Sequence, residues 1–276
     1  MSEAVAVAKV RSPRDASTTA FNALLLRDVT VLKKGFLLFI VRTIMQPLLF
    51  VFVFTYVFPK IGQGVGGQSG QEQFSSLLVP GVVAIACIFQ GIQAVALPLV
   101  QEFSYTREIE DRVMAPLPVW AVAWEKIIAG AVQGALASVV VFPLATVIPS
   151  TPVHLDISWW KLLTFLPLAT TLGASLGLAI GTRAEARQVP LVFSVIIIPL
   201  TFLGATYYPW STLTPIAWLK VAVLFNPLVY MSEAFRTAMT PQVPHMSLGA
   251  IYGGMILFTA VLSWLGVSGF KKRVLA

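Results

Sequence analysis

The chain has 276 residues, of which 57% are hydrophobic and 11% charged, with a mean hydropathy of +0.82 and a formal net charge of +7. Soluble domains carry about 25% charged residues, so this composition excludes a water-soluble globule. Six spans of about 20 residues would use roughly half the chain and leave no room for a sizeable soluble domain.

Residues 1–17 are polar and small, with Lys9, Arg11 and Arg14, and read as a mobile cytoplasmic tail with no signal-peptide pattern. Residues 18–34 predict an amphipathic helix. Phe21, Leu25, Val29 and Leu32 recur at helical spacing, with Arg27, Thr30 and Lys34 on another face. Its basic end suits the inner membrane surface. Apolar runs then predict six transmembrane helices at about 36–58, 77–100, 121–148, 159–180, 189–206 and 248–270. Arg42 lies near the start of the first span and can snorkel to the interface. Pro47, Pro143, Pro167 and Pro199 fall within spans, where neighbouring helices can satisfy the freed carbonyls.

The stretch 207–247 tempts a seventh crossing, but Lys220 lies in it and Asn226-Pro227 breaks it. With six spans, both termini are cytoplasmic. Fifteen of the nineteen Lys and Arg then fall on that side, and Lys60, Lys161, Lys220 and Arg236 on the other. A seventh span would put Lys271, Lys272 and Arg273 outside, against the positive-inside rule. Residues 207–238 are therefore expected to form a re-entrant or interfacial helical hairpin on the outer side. The architecture expected is an all-α integral membrane protein: a mobile tail, a connecting helix over 18–34, and one transmembrane domain over 35–276.

Four patterns that invite enzymatic readings have simpler ones. Gly62–Gly70 lacks the GK[ST] ending, strand and helix of a phosphate loop, and reads as a flexible outer loop. Gly173-Ala174-Ser175-Leu176-Gly177 matches GxSxG but lies in an apolar helix. Gly173, Gly177 and Gly181 recur every four residues as a stripe for close helix packing, a device repeated by Gly130 with Gly134 and Gly249 with Gly253. His154 and His245 have no set of metal ligands at suitable spacing beyond Asp156, and Cys87 is a single apolar-run cysteine. Polar groups within spans are functional candidates. Gln46, Gln90, Gln93 and Gln133 qualify, with Gln90 and Gln93 on one helix face.

The most distinctive segment is the cytoplasmic loop 101–118. Glu108 and Arg112 stand i,i+4 in the order that favours a helix, and Pro116 and Pro118 stop it. With Trp124-Glu125-Lys126-Ile127 behind it, this loop resembles that of the ABC-2 type transporter permeases, most closely their multidrug and daunorubicin-resistance-like membrane subunits. Asn226-Pro227-Leu228-Val229-Tyr230, followed by Glu233-Ala234 and Arg236, is similar to the family's NPL-x-Y…EA-x-R element. Leu78-Val79-Pro80-Gly81 resembles its second-span opening. The resemblance covers about residues 20–272, departing at Glu110-Asp111, where many relatives carry Gly-Thr.

The resemblance implies an exporter of two permease chains, identical or different, and two cytoplasmic ATPase subunits. ATP and Mg would belong to the partner, with no cofactor or metal in this chain. Arg107, Glu108, Glu110, Asp111 and Arg112 would form a coupling helix that docks in the ATPase. Asn226, Pro227, Glu233 and Arg236 are candidates for an outer gate. Gln46, Phe50, Phe54, Phe89, Gln90, Gln93, Phe193 and Phe202 are candidates for the pathway of an apolar or amphipathic substrate. The same architecture would serve a polysaccharide or lipid-linked glycan exporter, and more distantly a membrane protein without a transport role.

Overall fold

The computed structural model describes residues 13–61, 67–106, 109, 114, 116–150 and 152–275. Among them every regular element is helical. Arg107, Glu108, Glu110, Asp111 and Arg112, and Gly62–Gly66 of the glycine-rich stretch, lie outside the described residues.

Helix α1 runs Pro13–Lys34, starting five residues before the expected 18. Proline suits a first helical position because its missing N–H has no partner there in any case. Phe21 and Leu24 pack against the bundle, whereas Val29, expected on the apolar face, is 38% exposed. Helix α2 is Phe36–Val57, α-helical to Val51 and then widened into a π-helical turn. Helix α3 begins at Gly67 and continues to Gln101, so Gly67–Gly70 are helical rather than loop. It is followed by α4, Val119–Val147, and α5, Trp159–Gly181. The last long helix, here α9, is Leu248–Leu275.

Five described helices are therefore long and apolar enough to cross a membrane, one fewer than expected. The difference is the predicted span 189–206. Its helical part, α6, is Ala186–Phe202 and is assembled from a 3₁₀ turn, an α turn, a π turn and a final α turn. Seventeen residues at 1.5 Å each reach about 25 Å, short of the ~30 Å hydrocarbon core. Pro190 and Pro199 remove ladder donors from it, and the chain turns sharply beyond Phe202, with Ala205 at φ 51°. Residues 207–247 contain a 3₁₀ turn at Trp210–Leu213, helix α7 at Ala217–Ala222 and helix α8 at Pro227–Met239. Asn226 separates the two helices and caps α8: its Oδ1 accepts from Leu228 N at 2.9 Å, and Pro227 takes the first turn.

Helix α3 is the axis of the bundle. It is 72% buried over its most apolar window, against 18% for α2 and 22% for α9, and it packs most extensively on α5 and α4. The glycine stripe explains the contact with α5. A Cβ on Gly91 would stand 2.6 Å from the Gly173 carbonyl carbon, and one on Gly177 would stand 2.8 Å from Gly91 O. Gly130 and Gly134 likewise meet Val95 and Cys87 of α3. Gly249 and Gly253 do not repeat the device: a Cβ on either meets open space. Gly254 instead makes the close approach, against the Tyr230 ring. Ser175, the would-be nucleophile of GxSxG, donates to Thr171 O at 2.7 Å and shares a hydrogen bond with Ser263 at 2.8 Å. It is a polar tie between α5 and α9.

Candidate functional site

Helix α2 organises the candidate pathway residues. Arg42, Gln46, Phe50 and Phe54 are spaced four apart and so share one face. At the α1 end of that face, Arg42 Nε donates to Gln93 Oε1 at 2.5 Å, and Thr43 Oγ1 donates to Gln90 Oε1 at 3.1 Å. Both glutamines thus bridge α2 to α3. They line a cavity of about 390 Å³ whose walls also include Arg27 and Asp28 of α1 and Gln133 of α4. Its floor holds the buried ion pair Lys126–Glu102, 2.9 Å between Nζ and Oε1. Twenty-four residues and a loop separate these partners in the chain, so no local spacing announces the pair.

At the other end of α2 the pathway phenylalanines form a separate group. Phe50 stacks on Phe54 with centroids 5.2 Å apart, and both rings turn toward Tyr207, at 5.1 and 6.4 Å. Phe202 approaches the same tyrosine at 6.1 Å. Phe50, Phe89, Phe202 and Tyr207 line a second cavity of about 100 Å³. Burial pushes the Tyr207 hydroxyl up to about 12, against the opposing pull of its hydrogen bond with Thr206, so the ring stays neutral. The pathway candidates therefore divide: Gln90 and Gln93 sit at a polar cavity, Phe50, Phe89 and Phe202 line an aromatic one, and Phe54 stacks on Phe50 beside it. Gln46 lies between the groups along α2. The side chains of Gln46 and Phe193 lie outside the described residues. Tyr207 is the hub that joins the rings.

Beyond the aromatic cavity lies a cap built on α8. Glu233 and Arg236 are both fully buried. Arg236 Nη1 donates to Glu233 Oε1 at 2.5 Å, and Nη2 donates to Ala205 O at 2.8 Å. The Glu233 carboxylate also accepts Trp210 N at 2.9 Å and Met246 N at 2.8 Å. One carboxylate thereby fastens the segment after α6, helix α8 and the approach to α9. Burial pulls the Arg236 guanidinium down from its ordinary value, and the charge and hydrogen bond of Glu233 push it back up. Asn226 adds a further tie, with Nδ2 donating to Leu200 O at 2.7 Å. All four outer-gate candidates thus meet in one cap, at the end of the bundle where α5 and α9 begin. The i,i+3 spacing of Glu233 and Arg236 is visible in the sequence. The backbone partners at Ala205, Trp210 and Met246 are not.

A family model described as ABC-2 type transporter matches residues 19–240. The inner membrane transport permease YadH of Escherichia coli (strain K12) is 27% identical over 198 residues, covering 71% of this chain and 75% of that protein. The protein of the same name in Shigella flexneri is similar to the same extent. The match takes in α1 from residue 19, the α2 face with both cavities, and helix α8. The long apolar helices agree with it, and the chain belongs to the ABC-2 type transporter family, as an integral membrane permease.

Proposed function

We propose that this chain is the membrane subunit of an ATP-driven exporter in the inner membrane, moving an apolar or amphipathic, drug- or lipid-like substrate outward. The observation that carries this reading is the α2 face. It runs from a polar, charged cavity at Arg42 to an aromatic cavity at Phe50 and Tyr207. A molecule with a polar end and an apolar body meets both chemistries along that path. A hydrated polysaccharide would instead need a wide polar route, and the aromatic cavity is only about 100 Å³.

The charge distribution supports six crossings with both termini cytoplasmic. In that arrangement α6, continued by 203–206, is the fifth crossing, and α7 with α8 is a hairpin on the outer side. The outward faces of α2 and α6 are apolar and exposed, including Leu37 and Leu49 on α2 and Val195 and Phe202 on α6. These faces suit a second permease chain, with two ATPase subunits beneath. The loop 107–112 docks in the ATPase, α1 lies beside it, and the α8 cap closes the outer end. ATP drives transport because the two conformations bind nucleotide and substrate with different affinities.

The test is reconstitution with the partner ATPase. Glu108→Lys combined with Asp111→Lys should lower permease-stimulated ATP hydrolysis while the complex still assembles. Stimulation equal to wild type would remove the coupling assignment.

A further inference from the structure

We propose that the cavity between α1, α2, α3 and α4 binds the phosphate-bearing headgroup of an amphiphile drawn from the adjacent membrane leaflet. The inference rests on the exporter reading above and names the chemistry of the ligand at its inner end. Three observations combine.

The first is the charge around the cavity. Among the described residues that line it, Arg27, Arg42 and Lys126 face Asp28 and Glu102, three cations to two anions. Lys126 and Glu102 answer each other at 2.9 Å. Among the described residues, Arg42 is bonded through Nε to a neutral amide, and the two amino groups of its fork are the part that suits a bidentate anion.

The second is the polarity of the amides. Gln93 spends its carbonyl oxygen on Arg42, and Gln90 spends its own on Thr43. What each amide has left to offer is chiefly its NH₂ group, a donor. A guanidinium fork and two amide donors at one cavity select an acceptor-only group with several oxygens. A phosphate ester fits that description.

The third is the rim. Leu38 and Phe39 of α2 line the same cavity with Val31 and Leu32 of α1, and Leu38 is 73% exposed. A headgroup seated at Arg42 therefore has an apolar surface beside it for its tail. The volume, about 390 Å³, lies within the range of small-ligand pockets, roughly 300–1,000 Å³.

The experiment is native mass spectrometry of the full chain, released from detergent, against three probes: dioleoyl phosphatidylglycerol, dioleoylglycerol with the same tails, and inorganic phosphate. Phosphatidylglycerol should bind at least about tenfold tighter than dioleoylglycerol, and Arg42→Gln should erase most of that difference. Arg42→Lys should keep part of it. Gln93→Leu, which removes a donor without removing a charge, should weaken phosphatidylglycerol alone and serves where Arg42→Gln does not fold. Equal binding of the two lipids, or unchanged selectivity in folded Arg42→Gln and Gln93→Leu, overturns the proposal. Displacement of phosphatidylglycerol by an equal concentration of inorganic phosphate overturns the amphiphile and leaves a free-phosphate site. These readouts need no ATPase. Failure of the exporter reading shows itself separately, as wild-type protein that does not stimulate its partner.

Discussion

Glu233 makes three bonds to three separate segments of the chain. Its oxygens hold Arg236 Nη1 and the backbone N–H groups of Trp210 and Met246, and both charged side chains are fully buried. Removing one partner of a buried ion pair leaves the other charge stranded, at a cost of about 3–5 kcal/mol. Glu233→Gln should therefore lower thermal stability in detergent by that order, read as a large fall in unfolding temperature. Replacing both residues by Met should recover part of the loss, since no charge is then stranded. Full recovery is not expected, because the Trp210 and Met246 amides lose their acceptor. A double variant no more stable than the single one would show that those amides, and not the charge, set the cost.

At the scale of helices, the α3–α5 seam depends on the absence of side chains. Gly91→Leu must force apart two backbones already in contact at Gly173, and overpacking of that kind costs about 1–3 kcal/mol or more. Gly249→Ala meets open space and should be neutral or slightly stabilising, by up to about 1 kcal/mol of helix propensity. Unfolding temperatures of the two variants, measured side by side, check the contrast. The same glycines show what a sequence reveals. The four-residue repeat at 173, 177 and 181 reads correctly as a packing stripe because a seam between two straight helices is periodic. The pair at 249 and 253 has the same spacing, yet α9 turns that face away, and spacing carries no information about rotation. The predicted span 189–206 is legible as an apolar run but not as a broken helix. Its π turn at Phe193–Ile197 lies between Pro190 and Pro199, and no residue pattern within the turn announces it. The cap was half legible: Asn226-Pro227 and Glu233…Arg236 are local patterns, whereas Ala205, Trp210 and Met246 reach the pair only through the fold.

Over the whole molecule, the proposed orientation can be read from the outside of a cell. Cys87 is the chain's single cysteine and is fully buried, so thiol labelling starts from a low background. Lys60→Cys and Lys271→Cys place exposed thiols at opposite ends of the bundle. A membrane-impermeant maleimide applied outside the inner membrane should label the first and spare the second. The reverse pattern would invert the topology, and labelling of both would argue for an odd number of crossings.

The three-way fastening by Glu233 also sets an order of events during synthesis. Trp210 precedes the carboxylate by 23 residues, and Met246 follows it by 13. Helix α8 therefore emerges from the ribosome before Met246 does. Until Met246 and the start of α9 emerge, the acid–base pair lacks a wall and must remain hydrated or be held by the insertion machinery. A chain stopped between Arg236 and Met246 would expose that pair at the membrane surface, and quality-control proteases would meet it there. The last helix is thus the latch of the molecule as well as a span.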